Sequence, residues 1–322
     1  MPATIVGTDE VTSLSRRWIY PQIIDQIYGT NALFWRLHQG GRKRQIPGGT
    51  HVEVSFMYSE LANGGPFQGY DLLDTTPNDT VKNGVFEMTQ HYVPVSIDDR
   101  TLVRFNSPET AFNGLVEKWE QARMQMASNL GTGLYSDGTT NTKQIFGLKG
   151  AVDAGSVATS YAGLLRSANT YLNSQVDSST ATMTLAALNT FQGTCEKGGF
   201  APTLFLSRKE QYNRLWTLMV ANQRFIESDE AMTNAGFKNI SFNGIPWVKD
   251  EKVFDGPNTS NSAVLALCED AIELLIFGGT DFAMEDFRKP VNQMAMVGYL
   301  LTYLQLAVLA PRVQGKMTNL SA

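Results

Sequence analysis

Histidine and cysteine are scarce in this chain, with three His and two Cys among 322 residues. His38, His51 and His91 fall at none of the spacings, such as HxxxH or HExxH, that bring two imidazoles to one metal. Cys195 and Cys268 lie far apart and outside any CxxC pattern, so they read as buried free thiols. There is no GxxxxGK[ST] loop, no GxGxxG turn after a strand and no GxSxG elbow, hence no visible phosphate cradle or hydrolase nucleophile. The longest apolar run, "GYLLTYLQLAVLAP" (298–311), falls short of the ~20 residues a membrane span needs. The opening "MPATIVGTDEV" has neither a basic start nor an apolar stretch, so no secretory signal is visible, and a reducing, cytosolic site of synthesis follows. Charge of one sign is also missing. With 26 Lys and Arg against 31 Asp and Glu, the net charge is -5, which does not suit gripping nucleic acid over the whole surface.

What is present is ordinary globular chemistry, 43% hydrophobic, enough for a sizeable core spread over one to three domains. Residues 1–45 read as an arm with irregularly spaced anchors, among them Trp18, Tyr20, Phe34 and Trp35, and a short helix over 21–28. Aromatics on a terminal segment need a cover, either their own domain or a neighbouring chain. "THVEVSFMY" (50–58) and "GVFEMTQHYVPVSIDDR" (84–100) alternate as strands do. Between them, residues 61–84 are polar and rich in Gly and Asp, too long for a tight turn, so the unit reads as one long projecting hairpin.

From Ser107 and Pro108 a helix of about 25 residues is expected, with Phe112, Leu115, Trp119, Met126, Leu130 and Leu134 on one stripe. It is a beam to be laid on a sheet. Residues 161–270 read as a separate α/β layer, with helices in "TLAALNTFQGTCEKG" and "RKEQYNRLWTLMVANQRF", a buried strand in "PTLFLS" and a turn then a strand in "ISFNGIPWVKDE". The C-terminal part reads as two long strands around a charged turn, then a tail strand.

Polar constellations are few. The adjacent carboxylates of "SIDDR" would point to opposite faces of a strand, which suits a solvated turn better than a metal or an acid–base pair. "GGRKRQ" (40–45) places Arg42, Lys43 and Arg44 together, either as a solvated loop or as a contact for phosphates or an acidic neighbour. With no catalytic pattern, the balance moves toward a structural or binding role.

The order of parts is informative. An anchoring arm, a projecting hairpin, a beam helix, an α/β layer and a final long hairpin resemble the major capsid proteins of tailed bacteriophages, the Hong Kong 97 type of shell fold. "NLGTGLYSDGT" (129–139) and "IFGLKGAV" (145–152) look like the end of that family's spine helix and the strand after it. "YAGLLR" (161–166) is similar to a Gly-x-x-Arg stretch common there, and "PTLFLSRKEQYNRL", "FNGIPWVKDE" and "LAVLAPRVQGKMTNL" resemble its central and C-terminal segments. The resemblance spans nearly the whole chain and rests on order and spacing more than on any one motif.

The resemblance implies an α+β fold with an N-terminal arm (1–45), an extended β-hairpin loop (46–97), a peripheral domain with the spine helix (98–160 and 272–310) and an axial α/β domain (161–271 and 311–322). It implies a non-enzymatic protein without metal or cofactor. Such a chain assembles with itself into pentamers and hexamers of an icosahedral shell around double-stranded DNA, in the virion, after assembly in the host cytoplasm. Contacts between subunits would fall on Trp18, Phe34 and Trp35 of the arm, Phe67 and Tyr70 of the loop, and Glu285, Asp286, Arg288 and Lys289 at a three-fold turn. Arg42, Lys43 and Arg44 would touch DNA, non-specifically, or a neighbour. Because Met1 leads straight into the arm, a separate scaffolding protein is expected, with a portal protein and a decoration protein as further partners and no membrane. A related shell, the encapsulin-like nanocompartment holding a protein cargo, is the alternative. Some family members weld loop Lys to turn Asn through an isopeptide bond. Here Lys82 and Asn292 stand near those places, but residues 294–310 contain no Asp or Glu to take the amine proton, so a non-covalent shell is expected.

Overall fold

A computed structural model of the chain describes residues 31–61, 63–98, 108–179, 182–221, 239–255, 261–291 and 294–321. The helix expected over 21–28, the anchor Trp18, the start at Ser107, the side chains of Phe112 and Leu115, and Asn292 lie outside the described residues.

Helix α1 (Ala32–Gln39) stops at Gly40, with Gly41 at φ +67°, and the chain turns into β1 (Lys43–Ile46). β1 runs parallel to β12 (Ile272–Phe277), Lys43 opposite Leu274 and Ile46 opposite Phe277. The hairpin comes next. β2 (His51–Met57) pairs antiparallel with β3 (Val81–Glu87), from His51 opposite Glu87 to Met57 opposite Val81. Val52, Phe56 and Phe86 face inward. Gly84 is required there, because a Cβ would stand 2.5 Å from the Phe56 ring and 2.8 Å from the Ala162 Cβ.

The single strand expected over 84–100 is two. After β3, Met88 alone forms the joint, and β4 (Thr89–Asp98) leaves the hairpin to pair with β14 (Ala295–Val308), Thr89 opposite Leu304 and Asp98 opposite Ala295. β12 and β13 (Ala283–Arg288) follow one another along the opposite edge of β14. The result is a five-stranded sheet of β1, β12, β13, β14 and β4.

Helix α2 (Pro108–Leu134) lies along β4 as the beam, its stripe of Trp119, Ala122, Met126, Leu130 and Leu134 buried. Trp119 is fully enclosed and meets the Phe287 ring of β13 edge-on at 5.8 Å. Where a strand was expected over 145–152 there is one helical turn, Leu148–Ala151. Gly147 sits too close to the carbonyls of Gly133 and Leu134 at the end of α2 for any side chain.

A two-residue hairpin follows, β5 (Ser160–Tyr161) and β6 (Leu164–Leu165), its turn formed by Ala162 and Gly163 at φ 50° and 75°. The second layer is a six-stranded sheet in the order β7 (Gln175–Asp177), β15 (Gly315–Ser321), β11 (Asn261–Leu267), β8 (Leu204–Ser207), β10 (Ile245–Lys249), β9 (Asn239–Phe242). Helices α3 (Leu185–Cys195), capped by Thr184 Oγ1 accepting from Ala187 N at 3.2 Å, and α4 (Lys209–Ala221) pack against it. "ISFNGIPWVKDE" is a hairpin rather than a turn and one strand, because Asn243 and Gly244 both take positive φ and let β9 fold back on β10.

Candidate assembly surfaces

The hairpin extends beyond its paired strands as a finger, residues 58–80, whose tip touches little else. Its internal ties are local: Tyr58 N donates to Thr80 O at 3.0 Å, Asn63 Nδ2 to Thr76 O at 2.6 Å, and Asp74 Oδ1 accepts from Thr76 Oγ1 at 2.6 Å. The apolar side chains point outward. Tyr70 is 106% and Leu72 101% exposed, and Leu61, Phe67 and Leu73 are exposed as well. The tip thus carries a continuous stretch of bare apolar side chains. The charges agree in sign: Glu60, Asp71, Asp74 and Asp79, with no Lys, Arg or His between 58 and 80. Phe67 and Tyr70, expected at a subunit contact, both lie on this bare tip.

The base of the finger is latched to the segment after α2. Val85 N donates to Ala162 O at 2.9 Å, and Lys82 Nζ donates to Asn169 Oδ1 at 2.9 Å while lying over the Tyr58 ring. Tyr58 stacks on Tyr171 at 5.3 Å, and Phe86 meets Tyr161 edge-on at 5.5 Å. A rigid root therefore carries a bare tip.

The arm's contact residues divide. Phe34 is fully enclosed by its own chain together with Leu33 and Leu37, so it is a core side chain and not a surface for a neighbour. Trp35 is half-buried against the same cluster. The basic cluster is answered within the chain: Arg42 pairs with Asp270, Lys43 with Asp281 and Arg44 with Glu273 at 3.7 Å. The acidic neighbour expected for these cations is the β12 region of the same chain, because parallel pairing of β1 with β12 carries them past those carboxylates. Upstream, Arg36 makes a two-pronged contact to Glu269 at 2.7 and 2.6 Å.

At the charged turn, Glu285, Arg288 and Lys289 are exposed and Asp286 is half-buried. The β13–β14 register shifts between Glu285 and Arg288, which turns Phe287 into the core against Trp119 and the charges outward. Val291 and Met294 beside them are bare.

One cluster escaped sequence reasoning. Arg166, the Arg of the Gly-x-x-Arg stretch, is buried and donates to the carbonyls of Gly150 and Ala151 at 2.9 Å, of Asp153 at 2.6 Å and of Leu172, with its guanidinium over the Tyr161 ring. Beside it, Asp153 Oδ1 accepts from Lys316 Nζ and Ser156 Oγ, both at 2.7 Å, and Oδ2 accepts from the amides of Gly155, Val157 and Ala158. Burial pushes the Asp153 carboxyl up, but the hydrogen bonds from Lys316, Ser156 and Val157 outweigh it and hold the group well below the usual carboxylate range. Burial likewise lowers Lys316. The cluster ties the irregular 150–172 stretch to β15 and is a clamp: both Asp153 oxygens and both terminal nitrogens of Arg166 are engaged by structure, and only the Arg166 Nε is left without a partner.

Among the described residues no three His, Cys, Asp or Glu side chains gather where they could hold a metal. No described helix is long and apolar enough to cross a membrane. Both thiols are buried, and burial pushes Cys195 up to about 12.

No protein-family model and no curated protein matches the sequence. Solved structures do match the fold. A chain of the cyanophage A-1(L) capsid asymmetric unit aligns with a TM-score of 0.62 at 14% identity, over 88% of this chain and 91% of that one. The capsid of a native GTA particle aligns at 0.58 and 10% identity, over 89% and 90%. The holo-SrpI encapsulin complex of Synechococcus elongatus aligns at 0.57 and 11% identity, over 86% and 84%. The α+β architecture is therefore the Hong Kong 97 type of shell fold.

Proposed function

We propose that this chain is the major capsid protein of a tailed phage, assembling with itself into pentamers and hexamers of an icosahedral shell. The observation that carries the reading is the finger: a latched root and a tip whose Tyr70 and Leu72 are bare, within a fold shared with capsid chains. An isolated subunit gains nothing from extending such a tip into water, whereas a lattice of copies covers it. Many modest contacts of this kind sum to a stable shell through multivalency.

Within this reading the finger runs from Pro47 to Met88. The five-stranded sheet with α2 forms the peripheral part and the six-stranded sheet with α3 and α4 the axial part. β4 counts with the sheet, and residues 31–46 are built into the core rather than into a free arm. Glu285, Arg288 and Lys289 would mediate contacts at a three-fold turn. A scaffolding protein, a portal protein, a decoration protein and packaged double-stranded DNA are the proposed partners, in the virion after assembly in the host cytoplasm. The shared fold with an encapsulin chain supports a second reading, a shell around protein cargo. The long Gly-rich finger favours the phage shell.

Expression of the full chain followed by sedimentation and negative-stain microscopy tests the shell. Closed particles are expected, and a small monodisperse oligomer with no closed particles would overturn it. The contents of the source particle, DNA or protein, separate the two readings.

A further inference from the structure

A groove of ≈ 610 Å³ opens at the joint between the two layers, where the end of β2 meets the segment that links β14 to β15. One wall is aromatic: Tyr58 and Tyr171 stack with ring centroids 5.3 Å apart. The charged lining is Lys197 and Arg312, without a carboxylate. Neither cation is ion-paired among the described residues; Lys197 is exposed, and Arg312 donates from Nη1 to the Thr194 carbonyl at 3.3 Å. Lys82, lying over the Tyr58 ring, adds a further positive charge beside the stack. By contrast, the groove between α2 and the end of β10 mixes Arg123, Lys249 and Lys252 with Asp250 and Glu251.

Each part of this lining limits the ligand. Tyrosine rings beside cations take a planar ring that carries an anion, because a base stacks on the ring while its phosphate meets the charge. Two cations without a carboxylate suit a group of about two negative charges, which a phosphate monoester carries at neutral pH and a single carboxylate does not. Ser55 and Thr170 add hydroxyls that suit the edge of a sugar. Ser55 Oγ donates to Asn83 Oδ1 at 2.8 Å and keeps its acceptor side. The volume lies within the ~300–1,000 Å³ typical of small-molecule sites.

The geometry points to this groove as a binding site for a nucleoside monophosphate, with its base on the tyrosine wall and its phosphate between Lys197 and Arg312. The inference goes beyond the shell reading and does not rest on it, since one chain supplies the whole site. The cations that the sequence offered for phosphates, Arg42, Lys43 and Arg44, are answered by carboxylates of their own chain, whereas Lys197 and Arg312 are not. A DNA duplex does not fit the same chemistry, because its paired and stacked bases present no ring face to the wall. The groove is walled by the hairpin on one side and by residues 309–313 on the other, so a bound nucleotide ties the hairpin to the link between β14 and β15.

The test titrates the full chain with adenosine monophosphate, adenosine and inorganic phosphate by calorimetry. The nucleotide should bind at least about tenfold more tightly than either fragment, since each fragment lacks one of the two contacts. Phosphate that binds as tightly as the nucleotide would mean an adventitious ion only, and either that result or no nucleotide binding overturns the proposal. Irradiation with an azido-adenosine monophosphate should label Tyr58 or Tyr171, and labelling confined to other surfaces overturns it. Lys197→Glu with Arg312→Glu should weaken nucleotide binding about tenfold or more. Tyr171→Ala should weaken it about tenfold, whereas Tyr171→Phe keeps the ring and should retain it. Circular dichroism checks that each variant folds, and Lys197→Glu alone, at an exposed position, is the change least able to disturb folding and should still weaken binding. A short DNA duplex should not displace the nucleotide, and displacement at equal nucleotide concentration overturns the assignment. Unchanged affinity in the cation variants overturns it too and leaves the shell reading intact, while a chain that binds the nucleotide but forms no particles upholds this inference and overturns the shell reading alone.

Discussion

Asp153→Asn strikes the point where the irregular 150–172 stretch is tied to the second sheet. The carboxylate receives Lys316 and Ser156 on one oxygen and three backbone amides on the other. An amide keeps only one acceptor oxygen, so either the three backbone donors or the ammonium loses its partner. The Asp153 and Lys316 side chains are 0% and 2% exposed, so water does not replace the lost bond. Breaking a buried pair by removing one charge costs roughly 3–5 kcal/mol. Lys316 keeps the Lys149 carbonyl at 3.1 Å, which places the expected loss near the lower end, about 3 kcal/mol.

Urea unfolding of the unassembled chain at neutral pH, followed by circular dichroism, reads this out. The Asp153→Asn, Lys316→Met double variant keeps an amide oxygen for the backbone donors and removes the ammonium, so it should be the more stable of the two. The pH dependence adds a second readout. The folded carboxyl titrates below its ordinary value of 3.8, so the unfolded chain takes up the proton first. The stabilisation is complete above about 3.8 and is lost as pH falls through the folded value. Asp153→Asn should flatten that acid limb. A loss below about 1 kcal/mol, in the range of an ordinary surface change, with an unaltered acid limb, would refute the clamp.

Replacing residues 61–79 by a short turn should leave a folded subunit, because the tip buries nothing in its own chain, while closed particles fail to form; an unfolded subunit by circular dichroism would contradict this. The cut stops short of Val81, since β3 pairs with β2 and Gly84 packs on Phe56. Trp119→Ala should cost about 3–5 kcal/mol as a large-to-small change in a closed core, measured by urea unfolding, and a cost under about 1 kcal/mol would deny α2 its place on the sheet. Arg288→Glu should leave subunit stability within about 0.5 kcal/mol yet alter the salt dependence of assembly, and unchanged particle yield at low and high salt would count against the turn as a contact. Lys82 is held on Asn169 and β14 carries no carboxylate, so denaturing electrophoresis of mature particles should give one band near 35.5 kDa, whereas a ladder of linked oligomers would show that another acid serves as base.

Period and turn chemistry carried most of the fold. The stripe from Trp119 to Leu134 announces α2 because helical spacing is a local property, and the exposed finger follows from Gly, Pro and Asp flanked by alternating strands. The break at Met88 was also written in the sequence. Inward positions are even at Gly84 and Phe86 and odd at Val93, Val95 and Ile97, and a one-residue slip in alternation moves a strand to a new partner. Phe34 was misplaced because Leu33, Phe34 and Leu37 form one face of a helix too short to show a period.

The charged contacts were illegible for a different reason. Arg36 meets Glu269 across 233 residues and Lys43 meets Asp281 across 238, and nothing near either residue marks its partner. Asp153, Arg166 and Lys316 each look like a solvated surface charge until the sheet order brings β15 beside β7. A charge's meaning depends on its surroundings, and those surroundings are fixed by strand pairing rather than by neighbours in sequence. For the same reason Lys197, which follows a helix, and Arg312, which follows β14, come to line one groove only in three dimensions, at the folded joint between the two sheets.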